Sequence, residues 1–348
     1  MLYKIRLSNL PALLQGLAVQ HELYVPVADK NGKADFALYN KDVTLDLTSH
    51  LTAKSLKDIF FPQVENLLSF KTQGKHLEIM APKLATAPTI AFGVRACDAR
   101  SFELLDMVFL KEPVDAYYKA RRENCLLIGL GCSAPEETCF CGTFGIDATQ
   151  PATDIATWIA GDVLYWQAQT EKGAQLTRNI HDYFQPAGDA GETAVSKQQE
   201  HTRALLEALP LGKFRIAKKI PANELKTFNS SVWESLAGTC LSCCSCTYVC
   251  PTCHCYDICD YKVDENKTER FRCWDSCMNR DFTKMAGGNP RKTKVERFRQ
   301  RYMHKLVYFP ENNDGVFACV GCGRCLSKCP VNLNIVKVAK ALEVSKDV

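Results

Sequence analysis

The chain has 348 residues, 46% hydrophobic and 24% charged, with a formal net charge of +4. That length allows two domains and a sizeable core, and so mild a charge gives no argument for nucleic acid as a partner. Nineteen cysteines would mean disulfides in a short secreted chain; here they fall in metal-ligand spacings, and the opening residues do not read as a signal peptide. No apolar run approaches the roughly 18–20 residues that span a bilayer, so the expectation is a cytoplasmic protein whose thiols stay reduced and free to ligate iron.

In chain order, residues 1–120 read as mixed α/β. Residues 77–82 and 89–97 are expected as short buried strands, and 99–110, with Phe102, Leu105, Val108 and Phe109 at helical spacing, as a helix after the second. A third strand covers 125–131 (CLLIGLG). Alternating strands and helices favour an α/β layer arrangement. The stretch Gly129-Leu-Gly-Cys-Ser-Ala134 fits a dinucleotide turn, but Pro135-Glu-Glu-Thr-Cys139-Phe-Cys141-Gly142 follows it as a loop, where that motif needs a helix. The better reading of this loop is a metal site: Cys132, Cys139 and Cys141 at the end of one strand, joined by Cys97 if strands 89–97 and 125–131 are neighbours. Free buried cysteines are the alternative; Cys125, at the start of its strand, is read as structural, though it remains a candidate replacement ligand. Further on, 162–169 reads as a strand, 176–184 as a short helix, and 186–203 as an exposed polar loop leading into a helix at 203–209.

Pro210, Gly212 and Pro221 mark a boundary, giving domains at 1–215 and 216–348. Residues 223–238 and 331–346 read as helices, the second starting after Cys329-Pro330. Between and beside them lie two runs, Cys240-Leu-Ser-Cys243-Cys244-Ser-Cys246-Thr-Tyr-Val-Cys250-Pro and Cys319-Val-Gly-Cys322-Gly-Arg-Cys325-Leu-Ser-Lys-Cys329-Pro. Each has the C-x2-C-x2-C-x3-C-P spacing in which three thiolates hold one cubane [4Fe–4S] cluster and the fourth is sent to the other cluster. Zinc knuckles usually pair two C-x2-C units for four ligands; two complete four-cysteine runs ending in Cys-Pro fit clusters better. The 251–318 connection is long for a compact ferredoxin, so the module is expected to be expanded and helical. The expected fold class is therefore an α/β N-terminal domain followed by an α-helical, expanded two-cluster ferredoxin domain.

Several segments resemble one family: Val94-Arg95-Ala-Cys97-Asp98, Thr138-Cys139-Phe-Cys141, Cys250-Pro-Thr-Cys253-His-Cys255, Trp274-Asp275-Ser276-Cys277, Asn289-Pro290-Arg291 and Cys319-Val-Gly-Cys322-Gly-Arg-Cys325. Together they are similar to the iron–sulfur subunits of anaerobic sulfite reductase (its A subunit) and of cytosolic sulfhydrogenases (their β subunit), a group of [NiFe] hydrogenases. Family members commonly carry Pro where this chain has Ala96. The resemblance implies three [4Fe–4S] clusters: one on Cys97, Cys132, Cys139 and Cys141, one on Cys240, Cys243, Cys246 and Cys329, and one on Cys319, Cys322, Cys325 and Cys250. It also implies a flavoprotein partner with FAD that takes electrons from NAD(P)H, and a separate subunit holding the catalytic centre.

Twelve of nineteen cysteines are then assigned. Cys125, Cys244, Cys253, Cys255, Cys259, Cys273 and Cys277 remain, and packing around the clusters accounts for them more simply than a fourth cluster. The Cys243-Cys244 pair is similar to that of the non-cubane clusters of heterodisulfide reductase, but Ser245 stands where that motif has Gly. Residues 291–305 hold seven Lys/Arg against one acidic residue, which reads as a solvated helix, with a docking surface or cations beside a cluster as the sharper alternatives. His254 and His304 are expected on the surface or packed behind the metal ligands rather than as catalysts, and no catalytic acid/base set is evident. The function expected is one-electron transfer; the alternative is a heterodisulfide-reductase-type enzyme binding substrate at a cluster.

Overall fold

The computed structural model describes residues 1–28, 32–49, 51–217, 219–222 and 224–346. Its strands are β1 (Tyr3–Arg6), β2 (Glu22–Ala28), β3 (Ala34–Leu38), β4 (Val64–Gln73), β5 (His76–Met80), β6 (Thr89–Val94), β7 (Cys125–Leu130), β8 (Ile155–Ala160), β9 (Val163–Ala168), β10 (Gln185–Pro186), β11 (Tyr256–Lys262) and β12 (Lys267–Trp274).

Eight of them form one mixed sheet in the order β10-β1-β9-β8-β7-β6-β2-β3. The pairs β2–β6, β6–β7 and β7–β8 are parallel. All six residues of β7 are buried, as a central parallel strand covered on both faces requires. On one face Leu13, Leu14 and Leu17 of the helix Leu10–Ala18 pack with Ile90, Phe92 and Ile128. On the other, Phe102 and Leu105 of the helix Ala96–Phe109 pack with Ala91, Val94 and Leu127. This is the α/β arrangement expected of the first half. Because β6 and β7 are parallel neighbours with Val94 beside Gly129, their C-terminal ends deliver Cys97 and Cys132 to the same edge of the sheet.

A second sheet has the order β11-β12-β4-β5, antiparallel throughout. It corrects the expectation that 251–318 is all helical: residues 256–274 are a hairpin paired to β4, roughly two hundred positions upstream. Arg272 explains the pairing, since its buried guanidinium meets Glu65 and Asp115, while the Trp274 indole N–H donates to Phe61 O at 3.0 Å. In the same sheet β5 is exposed at every residue, so 77–82 is not the buried strand expected.

Four other segments differ from expectation. Residues 186–203 are no loop; they form most of a 21-residue helix, Gly188–Ala208. Its inward positions Gly191, Val195 and Thr202 repeat at helical spacing but are small or polar, and so leave no apolar stripe. The helix expected at 176–184 runs over Glu171–Asn179, and that at 331–346 over Ile335–Val344, capped by the Asn334 side chain. In place of one helix over 223–238 there are Glu224–Asn229 and Val232–Thr239; residue 223 lies outside the described residues.

Candidate metal centres

The two cysteine runs interleave. One cavity is lined by Cys240, Cys243, Cys244, Cys246 and Cys329 together with Met278, Phe298, Tyr302 and Leu333. A second is lined by Cys250, Cys319, Cys322 and Cys325 with Phe140, Thr252, Arg301 and Lys305. The last cysteine of each run thus joins the first three of the other. The wrapping depends on left-handed backbone at Ser242 and Cys244 (φ 54° and 61°) and at Gly321 and Gly323 (φ 60° and 80°). Short helices at Ser245–Tyr248 and Arg324–Ser327 follow each turn. Backbone N–H groups of Ser242 and Leu333 donate to the sulfurs of Cys240 and Cys329 at 3.4 and 3.1 Å.

The strand-end cysteines form a third set. Cys132 and Cys141 pack together against Ala148, and Cys97 packs with Leu104, Phe309, Val320 and Cys322. Cys139 is close enough for its charge to act on Cys132 and Cys322, as Cys97 acts on Cys322 and Cys132. Cys322 therefore faces both this set and the second cavity. The join is tight: the Phe140 N–H donates to Gly321 O at 2.9 Å, and a Cβ on Gly321 would stand 2.4 Å from Phe140 O. Cys125 lies at the opposite end of β7, beside Thr89, where Cys97 and Cys132 cannot reach it.

These thiols suit a polynuclear cluster. Burial holds Cys139, Cys141 and Cys319 up at about 12 and raises Cys97, Cys132, Cys322 and Cys325. Seven dry thiols of this kind become thiolates at neutral pH only when iron charge replaces their protons. Among the described residues no three His, Cys, Asp or Glu groups converge as they would on a single metal ion; the sulfurs line the two cavities described above.

The basic stretch is not a solvated helix. Lys294–Met303 is opened by a capping box of Thr293 and Glu296, and Arg297, Arg301 and Lys305, spaced by four, are all buried. Arg301 donates to Cys246 O at 3.0 Å and reaches the Cys253 sulfur at 3.7 Å. Lys305 donates to Thr252 Oγ1 and Ala318 O, both at 2.8 Å. Lys57, which the sequence does not single out, donates to Cys253 O at 2.9 Å and lies 3.8 Å from the Trp274 ring. Burial pulls Lys305 down, yet Cys250 and Cys253 more than reverse it and hold the ammonium charged.

A further buried pair joins the two halves. Arg324, two residues after Cys322, makes a two-pronged contact with Asp98, the neighbour of Cys97, at 2.7 Å on both prongs. Only the Arg95-x-Cys97-Asp98 segment and the Gly-Arg after Cys322 offered a sign of it. Arg95 in turn caps Leu130 O and Gly131 O at the end of β7. His254 and His304 are half-buried partners, their rings 5.4 Å apart and edge to face, rather than surface groups; burial holds them down at about 4 and about 3.

Of the unassigned cysteines, Cys253 is hydrogen-bonded to Cys250 and Cys255 to Cys277. The hydrogen bond from Cys277 outweighs burial and brings the Cys255 thiol down to about 7.

Two interleaved cysteine-lined cavities beside an α/β sheet define an iron–sulfur protein, and a family model described as a 4Fe-4S dicluster domain matches residues 239–333. The "Sulfhydrogenase 2 subunit beta" of Pyrococcus furiosus is 36% identical over 250 residues, covering 72% of this chain and 72% of that one. The chain belongs to the iron–sulfur subunit family of sulfhydrogenases and anaerobic sulfite reductases. No solved structure matches it. No helix among the described residues is long and apolar enough to cross a membrane.

Proposed function

We propose that this chain is the electron-conducting subunit of an oxidoreductase complex. It would carry single electrons between an FAD-containing, NAD(P)H-oxidising flavoprotein subunit and a separate catalytic subunit of [NiFe] hydrogenase or sulfite reductase type. Three [4Fe–4S] clusters would be held by Cys97/Cys132/Cys139/Cys141, by Cys250/Cys319/Cys322/Cys325 and by Cys240/Cys243/Cys246/Cys329, in an α/β domain (1–215) and a dicluster domain (216–348). When bound, such clusters exchange one electron at a time at potentials tuned by charge, hydrogen bonds to sulfur and solvent exposure.

The carrying observation is the position of Cys322, which faces Cys97 and Cys139 on one side and its own cavity on the other. That proximity supports a row of three sites, with the second in the middle. Arg301, Lys305 and Arg324 place buried positive charge along it, which favours the reduced, more negative form of each site. The N–H donors at Cys240 and Cys329 act in the same sense.

Anaerobically purified chain is expected to contain about 12 iron and 12 sulfide, four of each per cubane. About 8 of each would remove the strand-end site, and zinc without iron would overturn the reading. Pull-down of the native complex identifies the terminal subunit: a [NiFe] protein for hydrogenase, a sirohaem protein for sulfite reduction.

A further inference from the structure

We propose that Cys255 and Cys277 are a redox-active dithiol that closes to a disulfide, exchanging its two electrons with the neighbouring iron–sulfur clusters one at a time. The proposal rests on the cluster reading above but concerns residues to which that reading gives no role. The two thiols are near enough to act on each other as hydrogen-bond partners, Cys255 packs against the core cluster that contains Cys277, and the backbone brings their segments together. The Asp275 N–H donates to Cys255 O at 3.0 Å just beyond the paired strands β11 and β12. The turn carrying Cys277 is pinned by Ser276, whose hydroxyl accepts from the Thr247 hydroxyl at 2.8 Å and the Met278 N–H at 3.0 Å. The two braced segments thus keep the thiols as neighbours.

The chain segments that carry the pair reach both dicluster cavities. Met278, next to Cys277, lines one; Thr252, next to Cys253, lines the other, and the charges of Cys253 and Cys277 interact. Lys57 and Lys305 act on Cys255, and Arg301 on Cys277. These cations favour loss of the protons that must leave as the sulfur–sulfur bond forms.

The step balances. Two thiols lose two protons to solvent and two electrons to two oxidised [4Fe–4S] clusters, one electron each, and one S–S bond forms. In reverse, two reduced clusters supply the electrons that cleave it. The pair would thus store two electrons beside a one-electron path.

The test uses the full, cluster-loaded chain poised at a series of potentials, quenched in acid, alkylated with N-ethylmaleimide and digested for mass spectrometry. A Cys255–Cys277 linked peptide is expected at the oxidising end and absent at the reducing end. Its ratio to the alkylated form should change tenfold per about 30 mV, the two-electron slope. Cys277→Ser and Cys255→Ser should each abolish that peptide while iron, sulfide and the cluster electron paramagnetic resonance stay at the parent level. Both thiols alkylated at every potential, or loss of about four iron in either variant, overturns the dithiol. A parent chain without iron or sulfide overturns the cluster reading itself.

Discussion

Replacing Arg324 with Met tests the contact between the two halves of the row. The guanidinium is 1% exposed and Asp98 0%. Besides its two contacts with Asp98, it donates to Thr52 O at 3.1 Å and Thr52 Oγ1 at 2.8 Å. Burial disfavours the charged guanidinium, but Asp98 and Cys322 more than compensate and hold it charged. In Arg324→Met the side-chain stem is retained, so the loss is electrostatic: an uncompensated buried carboxylate costs about 3–5 kcal/mol, or roughly two to three and a half powers of ten in the unfolding equilibrium. Asp98→Asn/Arg324→Met removes both charges and is expected to recover more than half of that loss. The assay is urea unfolding of the anaerobic, cluster-loaded protein followed by tryptophan fluorescence, with the slope as a check on compactness. A single variant within about 1 kcal/mol of the parent, or losses in the two single variants that simply add in the double, would refute the argument.

Four other outcomes follow from the same structure. Cys139→Ser/Cys141→Ser should lower iron and sulfide from about 12 to about 8 of each per chain while leaving the dicluster sites loaded. Lys305→Met removes two hydrogen bonds from a buried ammonium, to Thr252 Oγ1 and Ala318 O, which still bond each other at 2.8 Å; it should cost about 1.5–3 kcal/mol, the range for a hydrogen bond to a charged group, and should shift the potential of the neighbouring cluster downward in an electron paramagnetic resonance titration. Gly321→Ala must fit a methyl against Phe140 O at a backbone φ of +60°, costing about 1–3 kcal/mol, read as a lower urea midpoint. Finally, His254 and His304 are held below their unfolded value of 6.5, at about 4 and about 3, so the unfolded chain binds protons that the folded chain refuses. The stability this neutrality contributes is whole above pH 6.5 and falls as the pH drops toward 4, by up to about 1.4 kcal/mol per unit for each ring. His304→Gln should reduce the slope of the urea midpoint between pH 6.5 and 5; an unchanged slope refutes the assignment.

Local spacing alone carried the chemistry. The C-x2-C-x2-C-x3-C-P runs identify iron–sulfur ligands before any fold is known, because a cubane fixes how far apart along the chain its thiolates can be. Strands 89–94 and 125–130 were legible as apolar runs, since a buried parallel strand needs no alternation. Their adjacency was not, and it alone brings Cys97 to Cys132: which strands pair is a property of the sheet. The same holds for residues 256–274, where the partner that stabilises Arg272 and Trp274 lies near residue 65. The helix Gly188–Ala208 escaped because its inward face is Gly, Val and Thr, which packs against the sheet without an apolar stripe.

The cations show the division most clearly. In sequence, residues 291–305 are a basic run like many solvated helices, and only the spacing of Arg297, Arg301 and Lys305 hinted at a common face. Tertiary packing buries that face against the cysteine runs and adds Lys57 and Arg324 from elsewhere in the chain. A charge can be kept away from water only where opposite charge and hydrogen-bond acceptors await it, and here those come from residues distant in sequence. The sequence by itself thus singled out the thiols spaced to hold iron; the tertiary structure decided which of them share a cavity, what charge surrounds them, and that Cys322 lies beside the strand-end cysteines.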